Sequence, residues 1–183
     1  MFLSDVDIKK AVINKDITIK DFDEKRLQPA SYDVLLGNKF IITEFQTKHS
    51  IDPVKGIFPK TKEVIVKDNE EFVLHPGFTV LGTLKDFVGT DKYLIQISGK
   101  SSLARIGLIV HNTAGLINPG HYLNITLELY NLNYVPIILR PGMEIAQLTF
   151  SKLTSKTGQN YKETGRFSKD NWKNFKTRKK RKI

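Results

Sequence analysis

Short runs of β-branched and aromatic residues alternate with turn-forming residues along this chain, and this pattern restricts the possible folds most strongly. The runs include "SYDVLLGNKFIITEF", "IGLIVHNT" and "YLNITLELYNL". Such runs favour half-buried strands. Turn signals separate them at Gly37-Asn38, His75-Pro76-Gly77, Gly89, Gly99, Asn118-Pro119-Gly120 and Arg140-Pro141-Gly142. The spacing predicts a mainly β fold, a sandwich, barrel or jelly roll, rather than alternating βα units.

One short helix is predicted, at the N-terminus. The segment "LSDVDIKKAVINK" places a Ser-Asp cap ahead of apolar residues at helical spacing, namely Val6, Ile8, Val12 and Ile13. A chain of 183 residues with 40% hydrophobic content can bury one core. We therefore expect a single folded domain.

The ends of the chain differ in charge. The N-terminus "MFLSDVDIKK" lacks the pattern of a signal peptide, and no apolar run is long enough to span a membrane, so a cytoplasmic protein with no membrane association is predicted. Residues 162–183 hold ten Lys and Arg against two acidic residues, a net charge of +8 out of +10 for the whole chain. We expect a body over residues 1–161 and a flexible basic arm over 162–183.

The basic arm has three interpretations. It is a solvated tail, a segment that folds over an anionic ligand, or a contact for nucleic acid. The third interpretation makes the protein a nucleic-acid-binding module, and salt-sensitive binding that survives deletion of residues 173–183 would dismiss it.

The chain has no cysteine, which excludes disulfides, thiolate nucleophiles and cysteine-containing zinc sites. The histidines are His49, His75, His111 and His121. None of them accompanies a nucleophile elbow or an HExxH motif, so neither a serine triad nor a zinc protease is indicated.

The segment "SGKSSLARIG" resembles a phosphate-binding loop without satisfying the P-loop pattern. That pattern requires a glycine five residues before Gly99, where this chain has Leu94. Lys100, Ser101, Ser102 and Arg105 nevertheless supply two cations and two hydroxyl groups within six residues. The segment is either an anion-binding turn or an ordinary polar turn, with one helical turn predicted after Ser102.

Glu128 is the candidate general base. Alternation in "YLNITLELYNL" places Ile125, Leu127 and Leu129 on one face and Thr126 and Glu128 on the other. A strand glutamate on a polar face usually meets solvent. If this face lines a pocket, desolvation raises the pKa of the carboxyl group and suits it to take a proton from water.

These segments together resemble the dCTP deaminase family, within the dCTP deaminase and dUTPase superfamily. The resemblance covers nearly the whole body and rests on six ordered blocks: "LSDVDIKKAV", "QPASYDVLLGNKF", "FVLHPGFTVLGTL", "GKSSLARIGLIVHNTAGLINPG", "ITLELYN" and "LRPGMEIAQLTF". It implies a distorted β-barrel, or jelly-roll-like dUTPase-type fold, that forms a homotrimer with active sites between subunits. The implied substrate is dCTP, with Mg²⁺ on its phosphates.

The resemblance also implies roles for individual residues. Glu128 would be catalytic, assisted by Ser101 and Arg105. The substrate-binding set would be Lys100, Ser101, Ser102, Arg105, Thr113, Ala114, Asn118, Thr126, Leu127, Gln147, Tyr161 and Arg166. Familiar nucleobase deaminases activate water on zinc held by His and Cys ligands. A chain without cysteine cannot build that site, so deamination without zinc to dUTP and ammonia is the predicted activity.

Two sequence features, one that matches a branch of the family and one that departs from the family pattern, concern the fate of the dUTP product. Thr113-Ala114-Gly115 resembles the bifunctional, dUMP-forming branch and the dUTPases. Asn118 stands where the family usually has an aspartate, and an amide cannot serve as a carboxylate base for attack on a phosphate. The alternatives are therefore a bifunctional dCTP deaminase and dUTP diphosphatase giving dUMP, or a dUTPase-like nucleotide-binding protein.

In the arm, Arg166-Phe167 replaces the usual Lys-Tyr pair, and Arg166 and Lys169 are candidates for the lid.

Overall fold

The computed structural model describes residues 1–44 and 50–168 of the chain. His49, Lys169 and the terminal segment 173–183 lie outside these residues. Three short α-helices occur in the described part: α1 (Asp5–Ile13), α2 (Ser101–Arg105) and α3 (Tyr161–Thr164). A 3-10 turn spans Glu24–Arg26. No described helix is both long and apolar enough to cross a membrane.

Twelve strands occur in the described part of the chain. They are β1 (Thr18–Ile19), β2 (Leu27–Gln28), β3 (Ser31–Thr43), β4 (Thr61–Ile65), β5 (Phe72–Leu74), β6 (Thr79–Thr90), β7 (Tyr93–Gly99), β8 (Leu108–Ile109), β9 (Leu116–Ile117), β10 (His121–Asn131), β11 (Ile137–Leu139) and β12 (Glu144–Lys152). All pairings are antiparallel. The predicted mainly β fold is confirmed.

The large sheet curls on itself. Its strand order is β8-β10-β6-β3-β12-β7-β9, with β1, β2 and β4 pairing beside this path, while β5 and β11 form a separate pair. Seven strands in a flat sheet would separate the outer two by about 29 Å. The link from Ile109 to Leu116 spans at most about 25 Å even when fully extended. The sheet must therefore curve, as expected for a distorted barrel.

Helix α1 covers one edge of the core. The Ser4 side chain accepts a hydrogen bond from the Asp7 amide at 3.3 Å, which confirms the predicted cap. Ile8 is fully buried, whereas Val6 and Ile13 are mostly exposed. The helix therefore buries a narrower stripe than its apolar spacing suggested.

Two of the predicted turns are wrong. Gly37-Asn38 lies inside β3 and Gly89 lies inside β6. Near Gly37 the pairing of β3 changes from β12 to β4 and β6, and the register is irregular between Leu36 and Phe40. Gly37 thus lies at the point where β3 passes from one part of the sheet to the other. The predicted strand in "IGLIVHNT" is reduced to Leu108–Ile109.

Gly37 lies so close to β6 that it has no room for a side chain. A Cβ atom there would sit 2.8 Å from the Thr83 carbonyl oxygen, a backbone atom that cannot swing aside. We expect Gly37→Ala to lower the free energy of unfolding by about 1–3 kcal/mol, the usual cost of overpacking. Urea denaturation checks this, with Gly158→Ala, at a site with open space around it and no positive φ, as the control without a collision. Equal losses in both variants would refute the collision.

A buried ion pair joins the 3-10 turn to the sheet. Arg26 Nη1 lies 2.8 Å from Asp86 Oδ1, and the two side chains are only 10% and 4% exposed. The second oxygen of Asp86 accepts from the Leu35 amide at 2.7 Å, and the guanidinium also donates to the Asp33 carbonyl oxygen. Arg26 lies over the Tyr32 ring at 4.7 Å. This network fixes the start of β3, on which part of the candidate site stands.

Candidate functional site

Candidate residues gather in two depressions on the surface of the chain. The first, called the Ser101 depression, has a volume of about 340 Å³ and lies where α2 meets β3 and β12. It is lined by Gln28, Pro29, Ala30, Ser31, Asp33, Lys100, Ser101, Ser102 and Gln147. The helical turn predicted after Ser102 is confirmed as α2, which begins one residue earlier, at Ser101, and exposes Ser101, Ser102 and Arg105.

Lys100 is held between two carboxylates at this depression. Its ammonium lies 2.7 Å from the buried Asp33 carboxylate and also pairs with Glu144. Burial lowers the pKa of Lys100, but the hydrogen bonds to Asp33 and Glu144 outweigh it, so the pKa lies above its usual value. Lys100 is therefore a cation at neutral pH whose charge is already shared. A phosphate group that approaches it must compete with these two carboxylates.

The Gln147 side chain has a fixed orientation in the same depression. The Ser31 hydroxyl donates to Gln147 Oε1 at 2.8 Å, and Gln147 Nε2 donates to the Gly99 carbonyl oxygen at 3.4 Å. Gln28 Nε2 donates to Asp33 at 3.0 Å. The polar side chains of the depression are thus held in two hydrogen-bonded groups, one around Gln147 and one around Asp33.

The second depression, called the Glu128 pocket, has a volume of about 430 Å³. It is lined by Leu81, Ala114, Leu116, Ile117, Asn118, His121, Leu123, Asn124, Ile125, Thr126, Glu128, Tyr161 and Phe167. The predicted alternation along β10 is confirmed, since Ile125, Leu127 and Leu129 are buried while Thr126 and Glu128 are half-buried on the other face. Glu128 Oε2 accepts a hydrogen bond from the Asn112 amide at 3.2 Å. The carboxylate is thus fixed at one oxygen within a concave, partly apolar site.

The loop between β8 and β9 shapes one side of this pocket. Thr113 adopts a positive φ of 65°, a conformation that few residues with a side chain adopt. The Gly115 carbonyl oxygen accepts from the Ile97 amide at 2.9 Å. A Cβ atom at Gly115 would lie 3.0 Å from the Ile97 carbonyl oxygen and 3.1 Å from the His111 ring. Close packing against Ile97 and His111 therefore explains why the third residue of Thr113-Ala114-Gly115 is a glycine.

Residues 160–167, called the covering segment, lie over the pocket through Tyr161 and Phe167. The Tyr161 ring lies 5.6 Å from the His121 ring, and the Tyr161 amide donates to the Pro119 carbonyl oxygen at 3.1 Å. Burial lowers the pKa of His121, so this imidazole is neutral at pH 7. Phe167 closes the pocket further along the arm, with the Arg166 guanidinium 5.1 Å from its ring.

The structure brings together some of the predicted site residues and separates others. Lys100, Ser101, Ser102 and Gln147 share the Ser101 depression, while Ala114, Asn118, Thr126, Glu128 and Tyr161 share the Glu128 pocket. Thr113, Arg105 and Arg166 line neither of the two. The Leu127 side chain is fully buried in the core, so only its main chain can face a ligand. The two depressions have no lining residue in common.

Several residues at these sites were not predicted. Asp33 and Glu144 pair with Lys100 across 67 and 44 residues of sequence, and a lone acidic residue inside the apolar run "SYDVLL" was the only available signal for Asp33. His121 and Asn124 line the Glu128 pocket and were not predicted there. Phe167, named in the sequence only as part of the pair that replaces Lys-Tyr, also lines it.

Comparison with a solved structure places the curled antiparallel sheet in a known class of fold. The structure resembles the crystal structure of 2'-deoxycytidine 5'-triphosphate deaminase from Agrobacterium tumefaciens with a TM-score of 0.63. The match has 21% sequence identity and covers 83% of this chain and 48% of that longer chain. At this identity the likeness shows a shared fold.

Sequence comparison gives the family. The model of the dCTP deaminase-like family matches residues 2–153, and the chain belongs to this family. A Dictyoglomus turgidum protein named dCTP deaminase, dUMP-forming, is 43% identical over 85% of this chain and 82% of its own length. A Nanoarchaeum equitans protein with the same name is 38% identical over 96% of this chain and 100% of its own length. A Natronomonas pharaonis protein named dCTP deaminase is 44% identical over 88% of this chain and 85% of its own length.

Proposed function

We propose that this protein is an enzyme that deaminates dCTP at C4 of the cytosine ring, giving dUTP and ammonia in pyrimidine deoxynucleotide metabolism. The observation that carries the proposal is the half-buried Glu128 carboxylate, fixed by the Asn112 amide in a pocket of about 430 Å³. Family membership and the names of the relatives support the substrate. The cytoplasm, where free deoxynucleotides occur, is the proposed compartment.

The proposed reaction uses Glu128 as both base and acid. Glu128 removes a proton from water as the oxygen attacks C4, and it returns the proton to N3. Glu128 then carries the proton of the new C4 hydroxyl to the amino group, and cleavage of the C4–N4 bond with formation of the C4 carbonyl releases ammonia and leaves the uracil ring. General acid–base catalysis of this kind contributes about 10²–10⁴ in rate. Positioning of the water and the base, for which we propose Ser101, Arg105 and backbone groups, supplies the remainder.

We assign the triphosphate and sugar to the remaining predicted residues. Lys100, Ser101, Ser102 and Arg105 face phosphate oxygens in this proposal, while Gln147, Tyr161 and Arg166 contact phosphate or sugar and Asn118 contacts sugar. Thr113, Ala114, Thr126 and the Leu127 main chain surround the base. Because Asp33 and Glu144 lie beside Lys100, a triphosphate whose charge is partly neutralised by Mg²⁺ suits this site better than the bare anion.

The proposal includes a homotrimer with shared sites. Lys100, Ser101 and Ser102, proposed for phosphate, line one depression of the chain, whereas Ala114, Thr126 and Glu128, proposed for the base and the reaction, line another. A neighbouring copy that brings its Ser101 depression to the Glu128 pocket would complete the site. Size-exclusion chromatography with light scattering tests this, and a monomer with full activity would refute it.

Formation of dUMP is the second candidate function. Thr113-Ala114-Gly115 and the dUMP-forming names of several relatives favour it, whereas Asn118 lacks the carboxylate needed to activate water at the α-phosphate. Incubation with dCTP and Mg²⁺ followed by anion-exchange chromatography separates the two functions. We expect dUTP to accumulate with the parent chain and dUMP with pyrophosphate to appear with Asn118→Asp. Formation of dUMP by the parent chain would make it bifunctional, and binding without turnover would favour a nucleotide-binding protein.

A further inference from the structure

Asp91, at the turn between β6 and β7, joins three separate segments of the chain. Its Oδ2 accepts a hydrogen bond from the Tyr122 hydroxyl of β10 at 2.9 Å, and its Oδ1 accepts from Asn160 Nδ2 at 3.1 Å. Burial and the hydrogen bond to Asp91 raise the pKa of Tyr122 to about 12, so this hydroxyl remains a donor at neutral pH. One carboxylate therefore connects the body of the sheet to the first residue of the covering segment.

Asn160 is constrained on every side. Its Oδ1 accepts from the Lys162 amide at 2.9 Å and caps α3, which leaves its amide nitrogen to face Asp91. A Cβ atom at Gly120 would lie 1.9 Å from Asn160 Oδ1, so the asparagine is packed directly on the β9–β10 turn. The orientation of the Asn160 side chain thus sets where α3 begins.

The position of α3 decides what covers the Glu128 pocket. Tyr161 follows Asn160 directly, packs against His121 and lines the pocket, and Phe167 lines it a few residues later. Asp91 and Asn160 do not line the pocket themselves. Any effect of Asp91 on a ligand must therefore pass through the covering residues.

We propose that Asp91 is a positioning residue that fastens residues 160–167 over the Glu128 pocket through its hydrogen bond to Asn160. The role in catalysis rests on the proposed function, but the fastening itself does not. A fastened cover retains substrate and excludes water without touching the reacting atoms. Loosening it should raise KM for dCTP more than it lowers kcat.

An exchange of the two side chains tests the proposal. Asn160→Asp keeps an oxygen to cap α3 but places a carboxylate against Asp91, whereas Asp91→Asn combined with Asn160→Asp restores the bond with donor and acceptor reversed. In the double variant the amide introduced at position 91 donates to the carboxylate introduced at position 160, and its oxygen still accepts from Tyr122. Asp16→Asn is the matched control, because it removes an adjacent carboxylate that pairs with Lys92 and does not contact the arm.

The first readout is trypsin cleavage after Lys162 and Arg166, followed by mass spectrometry without nucleotide. Asn160→Asp should increase the initial cleavage rate about tenfold, a change typical of losing one charge-assisted hydrogen bond. The initial cleavage rate of the double variant should return to within about threefold of the parent rate. The rate of Asp16→Asn should equal the parent rate. Unchanged cleavage in Asn160→Asp, or a double variant that stays as sensitive as the single one, would overturn the proposal.

The second readout is steady-state kinetics with dCTP. Asn160→Asp should raise KM about tenfold with kcat within about threefold, and the double variant should restore KM. A fall in kcat alone would contradict a positioning role. If no variant, including the parent, turns over dCTP, the proposed function fails, while the cleavage pattern still decides whether Asp91 fastens the arm.

Discussion

Glu128→Gln should lower kcat for dCTP deamination by about 10²–10⁴ and leave the fold intact. The amide keeps an oxygen that can accept from the Asn112 amide, so the 3.2 Å contact that orients the side chain survives. It cannot take a proton from water, so the general-base contribution disappears. Initial rates of ammonia release, with circular dichroism as the check on folding, measure the effect.

Glu71→Gln is the matched control for this substitution. Glu71 is a surface carboxylate paired with Arg140 at 2.7 Å, and it lines neither depression. We expect its activity to equal that of the parent. If Glu128→Gln deaminates dCTP at the parent rate, the role assigned to Glu128 is refuted.

Arg26→Met should destabilise the fold by about 3–5 kcal/mol, the usual cost of removing one partner of a buried ion pair. The Asp86 carboxylate would remain almost fully buried, with the Leu35 amide as its remaining hydrogen-bond donor among the described residues. The substitution also removes the donors to the Asp33 and Asp21 carbonyl oxygens. Urea denaturation at a fixed protein concentration measures the change, since an oligomer's stability depends on concentration.

Lys9→Met provides the comparison for the buried pair. Lys9 and Glu24 form an ion pair of the same 2.8 Å length, but their side chains are 44% and 61% exposed. Exposed pairs contribute at most about 1 kcal/mol. If Lys9→Met and Arg26→Met lower the free energy of unfolding by similar amounts, burial does not determine how much the Arg26 pair contributes to stability.

The sequence was sufficient for the fold class because the alternation of apolar residues along the strands reflects their burial. In β10, each residue predicted to face the core is buried and Glu128 is not. Gly37 and Gly89 misled the interpretation because a glycine that permits close approach of two strands looks the same locally as one that permits a turn. Only the tertiary pairing of β3 and β6 distinguishes these cases.

The candidate site was less predictable than the fold. Local sequence made Ser101 and Ser102 candidates because their motif is contiguous, but it could not reveal that Lys100 is shared by Asp33 and Glu144. Partners that are distant in sequence meet only after strand order and register are set. The hydrogen bond between Asn160 and Asp91 has the same origin, since the two residues are 69 positions apart.

The shared charge at Lys100 has a consequence for substrate binding. A phosphate group gains little from an ammonium that two carboxylates already neutralise, so the hydroxyl groups of Ser101 and Ser102, Arg105 and the metal on the substrate become more important in the proposed site. This distribution of charge also disfavours tight binding of free inorganic phosphate at the depression.

Ammonia release from dCTP by the purified protein tests the central proposal most directly. The measurement uses dCTP with Mg²⁺, in the presence and absence of a zinc-selective chelator, and quantifies ammonia and uracil nucleotide together. We expect one ammonia for each cytosine converted, at a rate that the chelator leaves unchanged. No ammonia above background, or a rate abolished by the chelator and restored by zinc, would contradict the proposed deamination without zinc.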